Sequence, residues 1–190
     1  MNKGEEIEMV DQFVYLGGML TTGGEALQTA EYRLGIARAM FNKLGNVWCS
    51  TDLNHKIKVE LYKVAIVSTA TYGCEVWKFD TQTRTRMNNF NAKCLAMITG
   101  NTIHEMSKSN KYYNLVVEMK VKRVKRIQKI LCMGESREPV AVLEEVFKLP
   151  RHDGCTMEDI PEEQDFDTLK SRALDNAYWR CIIKKLRQRE

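Results

Sequence analysis

The chain has 190 residues, 44% hydrophobic and 28% charged, proportions that fit one generous globular domain or two small ones and exclude wholesale disorder. Its net charge of +4 is unevenly spread: residues 1–50 carry −2, 51–100 carry +3, 101–140 carry +5 and 141–190 carry −2. No run of about 18 uncharged apolar residues can span a bilayer, and the opening Met1-Asn2-Lys3-Gly4-Glu5-Glu6 is no signal peptide, so an intracellular protein without a membrane partner is expected.

Residues 7–21 read as a β-hairpin. Ile7 and Met9 alternate with Glu6 and Glu8, Phe13 and Tyr15 keep the period of two, and Gly17-Gly18 supplies the turn. Leu27, Ala30, Leu34, Ala37, Phe41, Leu44 and Trp48 then recur at alternating spacings of 3 and 4, one apolar seam on a helix from about Glu25. Gly45-Asn46 is a possible stop within it. Ser50-Thr51-Asp52 offers caps for a second helix with Ile57, Leu61, Val64 and Ala65 on its apolar side. A third is expected from Thr83 to Ile98, with Met87, Phe90, Cys94 and Ile98 inward and Gly100-Asn101 closing it.

A fourth helix is expected from about Tyr112 to Cys132. Val117, Val121, Val124, Ile127, Gln128 and Leu131 share one arc, with Lys122, Arg123, Lys125, Arg126 and Lys129 on the remaining face. Pro139 can open a short helix over 140–147. Residues 148–165 read as an acidic loop, and Phe166–Arg189 as a last helix. The fold class is therefore mainly α with a short N-terminal β-hairpin. Three units are expected: a hairpin over 1–22, a helical domain over 23–100 and a C-terminal helical region over 101–190.

The catalytic inventory is thin. His55, His104 and His152 are far apart, and the six cysteines stand 20 to 38 residues apart with no C-x-x-C pair. Reduced thiols and no metal site are the expectation. The cluster Glu158, Asp159, Glu162, Glu163, Asp165 and Asp167 reads as solvated acid. The basic middle of the chain is either the footprint of a polyanion or an ordinary lysine-rich helix surface.

Several collinear strings carry a resemblance. Ile7-x-x-Val10-x-x-Phe13-x-Tyr15-Leu16-Gly17, then Arg33, Ala37, Phe41, Leu44 and Trp48, then Lys58-x-x-Leu61-Tyr62 form the first blocks. Tyr72-Gly73-x-Glu75-x-Trp77, Phe90-x-x-x-Cys94-Leu95 and Ala173-x-Asp175-x-x-x-Trp179-Arg180 complete the set. Together they resemble the end of the palm, the thumb and the closing helical region of reverse transcriptases of LINE-type (non-LTR) retrotransposons. The chain departs from that pattern at Gln128–Met133, which keeps only the methionine, at Ala96 and at Asn176, the marks of a diverged or decaying copy. The family's catalytic carboxylates would precede Ile7 and its endonuclease domain lies further upstream, so no catalytic residue is expected here. Mg²⁺ is implied for the full-length enzyme and no cofactor for this chain.

The resemblance implies that Phe13 to Gly17 form a primer grip and that the helices after it hold a template–primer duplex, an RNA–DNA hybrid, through its phosphates. Tyr15 would pack at the primer end or on the hairpin's buried face, where Phe13 is placed. Gly17, like Tyr15, is a candidate nucleic-acid-binding residue of the grip. Arg38, Lys58, Lys63, Lys122, Arg123, Lys125, Arg126 and Lys129 are the candidate phosphate contacts. Trp48, Trp77 and Trp179 are core anchors. Tyr72, Gly73 and Glu75 are structural, with Glu75 paired to a buried arginine or capping a helix. Two other readings stand beside this one: a helical protein-interaction module left by decay or reuse, and the tail of a full RNA-directed DNA polymerase whose upstream palm would then be a partner.

Overall fold

The computed structural model describes residues 10–15, 17–21, 26–77, 80–108, 113–149, 159–160 and 165–188. Ile7, Met9, Leu16 and most of the acidic loop 148–165 lie outside these residues. The described chain is mainly helical, with one antiparallel hairpin near its start. No helix among the described residues is long and apolar enough to cross a membrane.

Strands β1 (Gln12–Tyr15) and β2 (Gly18–Thr21) pair with Phe13 opposite Leu20 and Tyr15 opposite Gly18. The turn uses Gly17 at φ 77°, a conformation that suits glycine. The hairpin is anchored through β2, where Thr29 Oγ1 donates to the Met19 carbonyl at 2.8 Å. β1 is exposed along its length. Phe13 is therefore not on a buried face: it is 57% exposed, as is Tyr15, because a two-stranded sheet leaves the outer strand uncovered.

Helix α1 (Ala26–Lys43) presents the seam Ala30, Leu34, Ala37 and Phe41 inward, all buried. The helix breaks at Leu44 (φ −91°, ψ 16°) and resumes as α2 (Gly45–Cys49), so the break comes one residue before the expected Gly45-Asn46, which themselves open α2, and Trp48 is still delivered to the core. The Trp48 ring stacks on Phe41 at 4.9 Å, and its Nε1 donates to the Phe41 carbonyl at 2.7 Å.

The second rod runs from α3 (His55–Leu61) through a π-helical stretch, Tyr62–Val67, into α4 (Ser68–Ala70). Its cap is Asn54, whose side chain accepts from the Lys56 amide. Ser50-Thr51-Asp52 does not cap it. The buried side is the expected one only in part: Leu61 and Ala65 pack against the core, half-buried. Val59, Tyr62, Ile66, Val67 and Ala70 face inward, while Ile57 and Val64 are exposed. The wider turns of the π stretch rotate later residues away from a 3.6-residue period.

Helix α5 (Thr81–Thr99) starts at Asp80, whose carboxylate accepts from the Thr83 amide at 2.8 Å, and ends at Gly100 with φ 75°. Met87, Phe90, Cys94 and Ile98 are buried as expected. Helix α6 (Ile103–Lys108) is an addition to the sequence reading. Thr102 and Glu105 form a reciprocal capping box: the Glu105 amide donates to Thr102 Oγ1 at 3.2 Å, and the Thr102 amide to Glu105 Oε2 at 2.9 Å.

Helix α7 (Leu115–Leu131) is capped by Asn114, which accepts from the amides of Val116 and Val117. Helix α8 (Glu138–Lys148) has Pro139 in its first turn. The last segment is two helices rather than one, α9 (Phe166–Ser171) and α10 (Asn176–Gln188). Asp175 ends the intervening turn and caps α10 through the amides of Ala177 and Tyr178.

Two apolar clusters result. The first gathers α1 to α6 and the first turns of α7, including Met106, Leu115, Val116 and Met119. The second gathers Val124, Ile127 and Leu131 of α7 with Leu143, Ile160, Leu169, Trp179 and Ile182. Packing therefore does not divide at residue 100; it changes hands midway along α7.

Candidate nucleic-acid interface

The candidate cations divide into those tied up inside the fold and those left on its surface. Lys58 is only 4% exposed. Its Nζ donates to the carbonyls of Trp48 at 2.8 Å and Ser50 at 2.6 Å, satisfying acceptors left open where α2 ends. Lys58 is thus a structural clamp between α2 and α3, not a phosphate contact.

Arg123 is corrected in the same way. It is 1% exposed and faces Asp159, with Nη1 3.4 Å from Oδ2. A guanidinium taken out of water requires such a partner. Asp159 is accordingly not part of a solvated acidic cluster. Asp165 also has local work, accepting from the Thr168 amide at 2.6 Å as the cap of α9; hydrogen bonding from the Thr168 side chain, and then from its amide, holds the carboxyl below the usual range.

Lys122 is half-buried, its Nζ donating to Thr71 Oγ1 at 2.6 Å. Lys63 pairs with Glu60 at 2.8 Å and lies 5.4 Å from the centre of the Tyr113 ring. Tyr113 precedes α7 at the end opposite Lys129, about 24 Å away at 1.5 Å per residue, so Lys63 belongs to a different part of the surface. Arg38 is exposed on α1. Its charge reaches Cys94.

Lys125, Arg126 and Lys129 remain. All three are exposed, and none is in an ion pair with another described residue. At 100° per residue they fall within one arc of about 100° on the second half of α7, with Lys122 inside the same arc. The structure brings these together as a ridge.

The hairpin end has its own arrangement. The Arg33 guanidinium stands over the Tyr72 ring, 4.3 Å from its centre, and crowds the place a side chain at Gly17 would occupy. The Arg33 side chain is flexible and could move aside, so it is the positive φ of Gly17 that calls for glycine. Tyr72 is 55% exposed, and Gly73, with φ 73°, turns the chain into a 3₁₀ turn over Cys74–Val76. Trp48, Trp77 and Trp179 are all buried, and Trp179 Nε1 donates to the Arg172 carbonyl at 2.9 Å. Glu75 is half-buried in the 3₁₀ turn. Among the described residues no arginine pairs with it and it caps no helix, which corrects the expectation.

A buried polar link that the sequence reading passed over joins the second rod to α7. Tyr62 donates its hydroxyl to Asn91 Oδ1 at 2.9 Å, and Asn91 Nδ2 donates to the Tyr113 carbonyl at 2.8 Å. Burial raises the Tyr62 hydroxyl well above its ordinary pKa. Burial also pushes the Cys74 thiol up to about 12, assisted by the charge of Glu75, and the Cys94 thiol likewise to about 12. Thiolate is the reactive form, so these two cysteines should stay unmodified in native protein under mild alkylation, while exposed Cys49 and Cys181 react. Peptide-resolved mass spectrometry reads this directly; labelling of Cys74 at the rate of Cys49 would contradict the burial. The linked stability has a sign. The folded state keeps these protons where the unfolded chain releases them, so stability is full below about pH 9 and falls as pH rises toward 12.

Among the described residues no three His, Cys, Asp or Glu side chains converge. Comparison with family models, with curated proteins and with solved structures gives no match.

Proposed function

We propose that the chain is a nucleic-acid-binding module, the primer-grip, thumb and post-thumb part of a non-LTR retrotransposon type reverse transcriptase. It would hold an RNA–DNA hybrid or duplex by its phosphate backbone and have no polymerase activity of its own. The observation that supports this best is the ridge of Lys125, Arg126 and Lys129 on α7, exposed and without an ion pair among the described residues. Neighbouring cations that no acid neutralises repel one another, and a polyanion relieves that repulsion. The sequence blocks from Phe13 to Arg180 give the reading its family, and Tyr15 and Phe13, exposed on β1, are available to a primer end.

Neutralising the ridge tests the proposal. Each phosphate contact contributes about −0.9 to the log–log salt slope on duplex DNA and about −0.7 on single strands. The triple change of Lys125, Arg126 and Lys129 to Gln should leave the melting transition in place. It should reduce the slope by roughly two to three units, with hybrid bound at least as well as duplex DNA. An unchanged slope and affinity would mean that the ridge is merely solvated. The protein-interaction reading would then lead, supported by the uncovered Val10, Phe13, Val14 and Tyr15.

A further inference from the structure

We propose that α10 supplies a second row of phosphate contacts, with Arg180 and Lys184 acting beside the α7 ridge as the two sides of one backbone-binding seam. This rests on the nucleic-acid-binding reading above and adds a helix to it. Two contacts set the register of α7 against α10. Arg187 Nη2 lies 4.0 Å from Glu118 Oε2 near one end, and Gln128 Nε2 donates to Asn176 Oδ1 at 3.3 Å near the other. The helices are therefore antiparallel, and the same register places Arg180 across from Lys125.

The helical spacing agrees. On α10, Asn176, Arg180, Ile183 and Arg187 follow at steps of 4, 3 and 4, one stripe whose two ends touch α7. On α7, Glu118, Val121, Lys125 and Gln128 follow at steps of 3, 4 and 3, the facing stripe. Lys184 sits one turn beyond Arg180 on the same side of α10. Arg180 and Lys184 are exposed and, like Lys125, are in no ion pair among the described residues. Two acids lie along the seam. Glu118 faces Arg187, and the Asp175 carboxylate accepts from the amides of Ala177 and Tyr178, both at 3.0 Å.

The seam thus sets like charges beside each other across a helix pair, which disfavours the free protein unless an anion lies between them. Its chemistry selects the anion. No large exposed apolar side chain is present within α7 or α10; Leu174 stands just before α10. A membrane surface needs an apolar stripe, and a docked peptide helix needs apolar anchors. A phosphodiester backbone needs neither, only cations spaced along two ridges.

The test uses the whole 190-residue chain, a fluorescent duplex DNA of about 20 base pairs and the matching RNA–DNA hybrid, with anisotropy measured across a salt series. Arg180→Gln with Lys184→Gln should lower the salt slope by about one to two units and weaken binding about tenfold at low salt. Removing two charges outside the two rows, Lys185→Gln with Lys148→Gln, should leave the slope unchanged; Lys185 lies about 140° round α10 from Arg180, and Lys148 is already paired with Glu144 and Glu145. A variant-free measurement accompanies these: bound duplex should protect Lys125 and Lys184 from acylation while Lys185 stays reactive. If the α10 pair keeps the parental slope while the α7 triple variant loses it, the second row is overturned and the binding module survives. Equal losses in the seam pair and the control pair, or no protection of Lys184, likewise overturn it. A parent chain without salt-dependent binding overturns both.

Discussion

Leu34→Asp is expected to abolish the native fold. Leu34 is 1% exposed, in the centre of the α1 seam, where the helix packs on the π stretch, α4 and α5. Losing the leucine side chain there costs about 2–5 kcal/mol. An unpaired carboxylate in the same apolar site adds several more. The sum is comparable to the whole stability of a domain, about 5–15 kcal/mol. Circular dichroism should show no cooperative melt, and gel filtration should show aggregate. A soluble variant with a sharp transition would mean that α1 turns another side to the core.

The second large effect is expected at Arg123. Truncation to Ala removes the guanidinium that faces the buried Asp159 carboxylate; the two side chains are 0% and 2% exposed. Breaking such a pair from one side costs about 3–5 kcal/mol, and at about 2–4 °C per kcal/mol for a chain of this size the melting temperature should drop by roughly 10 °C. Replacing both partners, Arg123→Met with Asp159→Leu, should recover most of the loss, because an apolar pair needs no compensation. A single Arg123→Ala variant melting within about 2 °C of the parent would show that water reaches the pair.

These two residues also show what the sequence could and could not reveal. Leu34 was legible because seven apolar positions recur at the helical spacing and one face decides the fit. Arg123 was not, because α7 serves two cores on different sides. The stripe Val117, Val121, Val124 is the conspicuous one. A second, Val116, Met119, Arg123, at steps of 3 and 4, turns toward other neighbours and ends on a charge that looks solvent-bound on a wheel drawn for a single face. Lys58 misled for a related reason: what decides its fate is a pair of carbonyls at the end of α2, which no periodicity announces. The capping box Thr102-Ile103-His104-Glu105 was readable and marks the start of α6. The π stretch left no readable trace, since a helix of normal period through Ile57 and Val64 looks equally amphipathic. Of the candidate interface, the cations of α7 could be listed from sequence, but only tertiary packing sorted Lys125, Arg126 and Lys129 from Lys122 and Arg123.

The passage of α7 from one apolar cluster to the other has a further consequence. A rigid helix cannot lose its support at Met119 without loosening its grip at Val124, five residues and about 7.5 Å further on. Neither half can therefore open as an independent foldon while the helix stays intact. The chain should unfold as one cooperative unit, and the two halves gain from each other the stability that a core of under a hundred residues struggles to supply alone. Severing the helix at its middle would leave two weak fragments rather than two domains.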